Sequence, residues 1–125
     1  MSPNDGRPLR MTITGIDHVQ VAAPNGCEAE ARAFYGALLG LEELPKPQAL
    51  RGRGGCWFRA GAQELHVGVE EPFVAARKAH PGLVVTDLDA LAERLREVVW
   101  DDAIPGARRF YTDDPFGNRL EIREA

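Results

Sequence analysis

Cysteine is scarce in this chain, and the two that occur, Cys27 and Cys56, lie far apart with no CxxC or other metal-type spacing. No cysteine cluster for a metal can be read from them. Two free thiols fit a cytoplasmic protein, and one disulfide between them is the alternative. Long apolar runs are missing too, since the longest fall well short of a membrane span. The opening MSPNDGRPLR is polar and turn-rich, without the apolar stretch of a secretory signal. Basic clusters are equally absent: the formal net charge is -4, with Lys and Arg scattered along the sequence. That pattern argues against nucleic acid or an anionic membrane as the main partner.

What remains is an ordinary soluble composition, 44% hydrophobic and 27% charged over 125 residues, enough for one domain with its own core. Residues 1–11 read as a flexible arm, because Pro, Asn, Asp and Gly dominate without periodicity. Ile13 to Ala23 alternates like a strand. After Pro24-Asn25-Gly26, Asn25 is the expected N-cap of a helix to Leu39 with Ala31, Phe34, Tyr35, Leu38 and Leu39 on one stripe, and Gly40 is placed to end it. Leu41 to Leu44 reads as a short strand, and PKPQALRGRGG as an exposed, mobile loop. Cys56 to Arg59 and Gln63 to Val69 form two more strands around Ala60-Gly61-Ala62.

The same order then returns. Residues 71–79 link the halves. His80 to Thr86 is a strand, Asp87 caps a helix burying Leu88, Leu91, Leu95 and Val98, and Val99 to Ile104 is ambiguous with a short strand. Ala107 to Thr112 and Asn118 to Arg123 make a hairpin about Asp114-Pro115-Phe116-Gly117, whose Pro and Gly suit a type I turn. Strand, helix, then strands, twice over, is an internal repeat. The expected fold is therefore α+β: two βαβββ modules, residues 12–70 and 80–125, within a single domain spanning 12–125.

Strand parity locates the candidate chemistry. Leu65, Val67 and Val69 share one face, while Glu64, His66 and Gly68 share the other. Leu120 and Ile122 oppose Arg119, Glu121 and Arg123 in the same way. If helices cover the aliphatic faces, His18, His66, His80 and Glu121 can all lie on the helix-free side, with Gln20, Ala22, Gly68 and Gly82 leaving room for a cavity. Three imidazoles and a carboxylate suit a divalent first-row metal. The alternative is a solvated sheet face carrying ordinary His and Glu residues, and spacing does not separate the two. Arg119 and Arg123 flank Glu121, either as rim ion pairs or as anchors for a substrate anion. Trp57, Phe58, Phe110 and Tyr111 pack in the core, except that alternation turns one of each pair toward the cavity. Glu64 is a rim residue.

The segments GIDHVQVAAP, FYGALLGLEEL, ELHVGVEEP, AHPGLVVTDLDAL and RRFYTDDPFGNRLEIRE, covering nearly the whole chain after the arm, resemble landmarks of the vicinal-oxygen-chelate superfamily of glyoxalase, bleomycin-resistance and extradiol-dioxygenase proteins. DPFGNRLEI is similar to that family's DP-x-G-(N/H)-x-(I/L)-E signature, the most specific of these matches. The resemblance implies two modules curling into a cup, a homodimer whose site borrows strands from both subunits, and metal ligands at His18, His66, His80 and Glu121. It implies a small substrate with adjacent oxygens chelated by Zn, Ni, Mn or Fe, an enediolate-like intermediate, and Glu121 as the proton-transfer group of a lyase, isomerase or epimerase. Trp57, Phe58, Arg119 and Arg123 are then the candidate substrate contacts. One departure stands out, because glyoxalase I enzymes usually carry a carboxylate where His66 stands. An extradiol dioxygenase would use His18, His80 and Glu121, leaving His66 as an acid or base. A metal-free protein sequestering a planar cationic drug in an aromatic cup is a further alternative.

Overall fold

The computed structural model describes Gly6 and residues 12–125, so the expected arm lies, apart from Gly6, outside the described residues. The first module runs β1 (His18–Ala23), α1 (Glu28–Ala31) continuing as a π-helical segment (Arg32–Leu38), β2 (Glu42–Leu44), a 3-10 turn (Gln48–Arg53), β3 (Cys56–Ala60) and β4 (Gln63–Val69). The second runs β5 (Gly82–Val85), α2 (Leu88–Arg94), β6 (Val99–Asp101), β7 (Arg109–Asp113) and β8 (Arg119–Glu124). Each module builds one four-stranded sheet, ordered β1-β4-β3-β2 and β5-β8-β7-β6. In both, the first and last strands pair parallel and the rest antiparallel. The repeat expected from the sequence is thus a repeat of topology.

Alternation decides which side is covered. Val21, Ala23, Leu65, Val67, Phe58, Phe110, Leu120 and Ile122 are buried, together with Ala31 and Tyr35 of the first helix and Leu88 and Leu91 of the second. Each fully buried large side chain contributes about 1.5–3 kcal/mol. Phe58 belongs to this core, where its ring meets Tyr35 at 5.9 Å. It therefore does not reach the helix-free face as a substrate contact, and its neighbour Trp57 does.

Several boundaries depart from expectation for local reasons. Asn25 is not the N-cap: Asn25-Gly26 forms a turn and Cys27 takes the cap position without a side-chain bond. The helix widens from Arg32 onward, and at its end Leu39 N–H reaches Phe34 O, five residues back. Gly40, at φ +79°, terminates it as expected. The stretch after β2 contains the 3-10 turn, and Gly55 (φ +84°) closes it where a Cβ would fall 2.0 Å from Val67 O. Asp87 caps α2 by accepting from Ala90 N at 3.1 Å, but α2 stops at Arg94, so Val98 lies beyond it. His80 precedes its strand, because Pro81 has no N–H for the ladder, although Pro81 O still accepts from Glu121 N at 3.0 Å.

The modules are joined by buried polar contacts as well as by the core. Asn118 donates from Nδ2 to Ala22 O (2.7 Å) and to Asp114 Oδ2 (2.9 Å), and accepts from Ala76 N (3.0 Å). Asp114 Oδ1 takes the N–H groups of Phe116 and Asn118, both at 2.9 Å. Among the described residues no helix is long and apolar enough to cross a membrane.

Candidate active site

Two clusters occupy the helix-free faces, one on each sheet. On the first sheet, His66 of β4 lies between Gln20 of β1 and Trp57 of β3 in register. Gly68 gives Gln20 its space, since a Cβ there would come within 2.6 Å of Gln20 Nε2. His18 leans onto His66 with ring centroids 4.2 Å apart and planes 14° from parallel. Trp57 covers the other side at 3.9 Å and 1°. The result is a stack of three rings with a buried imidazole in the middle. Trp57 is the cross-strand partner of His66, whereas His18 pairs in register with Glu64 and reaches His66 diagonally.

Hydrogen bonds fix the ring nitrogens. His18 Nδ1 meets Asp17 Oδ2 at 2.9 Å, and His66 Nε2 meets Glu64 Oε1 at 2.9 Å. On the second sheet, His80 Nδ1 meets the Lys78 carbonyl at 2.9 Å. His80 stands edge-on to Tyr111 at 5.4 Å, with Nε2 4.0 Å from Glu121 Oε1.

Glu121 lies between Gly82 and Tyr111 in register, with Oε2 3.4 Å from where a Cβ on Gly82 would be. Arg109 dominates its surroundings. This buried guanidinium gives Nη1 to Glu121 Oε1 at 2.5 Å and to Tyr111 Oη at 2.6 Å, and Nη2 to Asp101 Oδ1 at 3.0 Å. These bonds, that to Tyr111 foremost, push the Arg109 pKa above its ordinary value against the opposing effect of desolvation. Arg109 Nε is buried without a partner. Arg119 lies 3.9 Å over the Tyr111 ring, and Arg123 Nε is 4.0 Å from Glu121 Oε2.

The structure thus brings the four expected donors together in pairs, His18 with His66 and His80 with Glu121. It does not assemble all four: among the described residues no group of three or more His, Cys, Asp or Glu side chains could hold a metal ion. Arg109 and Asp101 were missed by the sequence reading. The signal was available, since alternation through Arg109, Phe110 and Tyr111 puts Arg109 on the face of Glu121's cross-strand neighbour. Glu64, expected at the rim, is instead the hydrogen-bond partner of His66. Cys27 and Cys56 are free and buried beneath the opposite face.

No family model and no curated protein matches the chain. Solved structures do. A protein from Bacillus anthracis assigned to the glyoxalase family is 55% identical, with 93% of this chain and 98% of that chain covered at a TM-score of 0.88. A member of the glyoxalase/bleomycin resistance protein/dioxygenase superfamily from Sphaerobacter thermophilus is 18% identical, covering 90% and 98% at 0.68. Lactoylglutathione lyase from Agrobacterium tumefaciens is 21% identical, covering 92% and 96% at 0.69. The latter two show the fold; the first, at its identity and coverage, shows the family. The chain belongs to the glyoxalase family.

Proposed function

We propose that the chain is a metal-dependent enzyme acting on a small substrate with two adjacent oxygens, and that each site is completed by a second copy of the chain. The observation that carries this reading is the placing of the half-sites. His18 sits on β1 and His80 just before β5, and β1 and β5 each form one of the two edges of their sheets. An unpaired edge is a template for another strand. Apolar groups accompany both edges in the open: Ile16 is 66% exposed and Val84 67%. Pairing the first sheet of one copy with the second sheet of another would place the two half-sites side by side and cover those groups.

The donor chemistry fits a divalent first-row ion. His18 Nε2, His80 Nε2 and Glu121 Oε2 would hold it, and when bound it would supply Lewis acidity toward the two substrate oxygens. Both histidines suit that task, because a carboxylate or carbonyl on Nδ1 leaves Nε2 bare and aims the ring. His66 suits it less. A metal lies in the plane of each imidazole that ligates it at about 2.1 Å, and two rings stacked at 4.2 Å and 14° cannot share such a point. His66 therefore stands beside the donor set as a group that moves a proton. Arg119 and Arg123 would meet the anionic part of the substrate, and Trp57 backs His66.

In the lyase or isomerase form of this reading Glu121 accepts the substrate proton. In the dioxygenase form His66 does. The stacking of His66 favours the second form. Elemental analysis after loading with Zn, Ni, Mn or Fe tests the reading. About one ion per chain, lost in His80→Ala, is the expected result. No tight metal binding would overturn it and point to sequestration of a ligand by a metal-free protein. Oxygen uptake with a catechol separates the two catalytic forms.

A further inference from the structure

The three histidines are presented in two different ways. His18 and His80 each engage an acceptor through Nδ1, Asp17 Oδ2 and Lys78 O respectively, both at 2.9 Å. A carboxylate or carbonyl oxygen can only accept, so Nδ1 carries the proton in both rings and Nε2 is bare. His66 is the reverse. Its Nε2 meets Glu64 Oε1 at 2.9 Å, so Nε2 carries the proton and Nδ1 is the basic nitrogen.

We propose that Glu64 is a positioning residue that holds His66 in the tautomer opposite to that of His18 and His80, leaving Nδ1 of His66 as the proton acceptor of the site. Parity supplies the contact: Glu64 and His66 are two apart on β4 and share the helix-free face. The stack restricts the alternatives. Turning the imidazole over would take Nε2 away from Glu64, and moving the proton to Nδ1 without turning would set a bare nitrogen against a carboxylate oxygen. With Trp57 at 3.9 Å on one side and His18 at 4.2 Å on the other, and only 6% of the side chain exposed, water has little access to the ring. Glu64 is then the group that decides which nitrogen is basic.

The catalytic meaning of this assignment rests on the reading of His66 as the proton-transfer group, but its test does not. Protein labelled with ¹⁵N-histidine carries three rings, and correlations between ring nitrogens and ring carbon protons at about pH 8, above the ordinary imidazole range, report each tautomer. The ring lost in His66→Gln identifies His66. The expected spectrum has the proton on Nε2 of His66 and on Nδ1 of the other two. In Glu64→Ala the two His66 nitrogen signals move toward each other as both tautomers become populated. In Glu64→Gln, whose amide oxygen still accepts, the original pattern returns. A proton on Nδ1 of His66 in the unaltered protein overturns the proposal, as does an unmoved His66 pattern in folded Glu64→Ala. Should Glu64→Ala not fold, the unaltered spectrum alone decides. Failure of metal binding leaves this spectrum standing, so the two readings fail separately.

Discussion

Tyr35 and Asp114 stand 79 positions apart, yet Tyr35 Oη donates a 2.7 Å hydrogen bond to Asp114 Oδ2 in the buried seam between the modules. Burial and the neighbouring carboxylate push the phenol pKa far above its ordinary value, so the hydroxyl is a permanent donor. Asp114 also receives Asn118 Nδ2 and two backbone N–H groups, and Asn118 reaches Ala22 O. The DPFGN segment is therefore a clasp: its Asp and Asn tie the second module to the first.

Tyr35→Phe keeps the ring and removes one donor from a buried carboxylate. The expected loss is about 1–3 kcal/mol, or a fall in melting temperature of roughly 4–11 °C. Urea and thermal unfolding measure it. Because Tyr35 packs in the core against Phe58 and not on the faces that carry His18, His66, His80 and Glu121, metal loading of the folded variant should be unchanged.

The thiol of Cys27 gives a pH prediction. Burial, with the Glu28 carboxylate next in effect, raises its pKa from 9.0 to about 11. The unfolded thiol ionises first as pH rises, so the unfolded state holds fewer protons across that interval and stability falls. Below pH 9.0 this contribution is fully present, and by about pH 11 it is gone. Urea midpoints at pH 8 and pH 10.5 should therefore differ more for the unaltered protein than for Cys27→Ala. Equal differences would mean that this thiol does not govern the alkaline loss.

Arg109 and Glu121 form the tightest charge contact of the second half-site, at 2.5 Å. Arg109→Met leaves Glu121 and Asp101 without their common cation, and Glu121→Gln leaves Arg109 with Asp101 and a weaker acceptor. Removing one member of a buried pair strands the other. Each single variant should therefore be less stable than the unaltered protein. The double variant should lose less than the two single losses combined, because one contact is removed only once. Chemical denaturation of the four proteins checks this, and strict additivity would mean the contact is energetically idle.

The architecture was legible because period-2 alternation survives wherever one face of a strand is buried. Leu65 and Val67, or Leu120 and Ile122, announce their sheets by this pattern, and the same parity correctly put His66 and Glu121 on the opposite faces. Asp87 and Gly40 were legible because capping is a local matter. Phe58 was misplaced as a site contact because alternation within Trp57-Phe58 assigns opposite faces without saying which is which. Asn25 looked like a cap, yet the helix starts only after Cys27. Alternation also put Arg109 on the face of Glu121's neighbour Tyr111, but its contact with Glu121, like the stacking of His18 on His66, depends on strand register and rotamer, which no spacing encodes. The distribution of the donors over two half-sites depends on how the modules are set against each other. That setting is held by the shared core and by the Tyr35–Asp114 contact, whose partners are far apart in sequence.

A site shared between two copies makes a prediction that no site within one chain can make. His18→Ala damages only the first half-site and His80→Ala only the second. Alone, each variant would form dimers in which every site lacks one donor, and neither should bind a divalent ion tightly. Unfolded together in equal amounts and refolded, half of the dimers would be mixed. In a mixed dimer one site carries both defects and the other carries none, so about one site in four overall should be intact. Metal content should then return to roughly a quarter of that of the unaltered protein, while the separate variants stay near zero. If each site formed within a single chain, every site would still lack a histidine after mixing, and the mixture would bind no more than its parents.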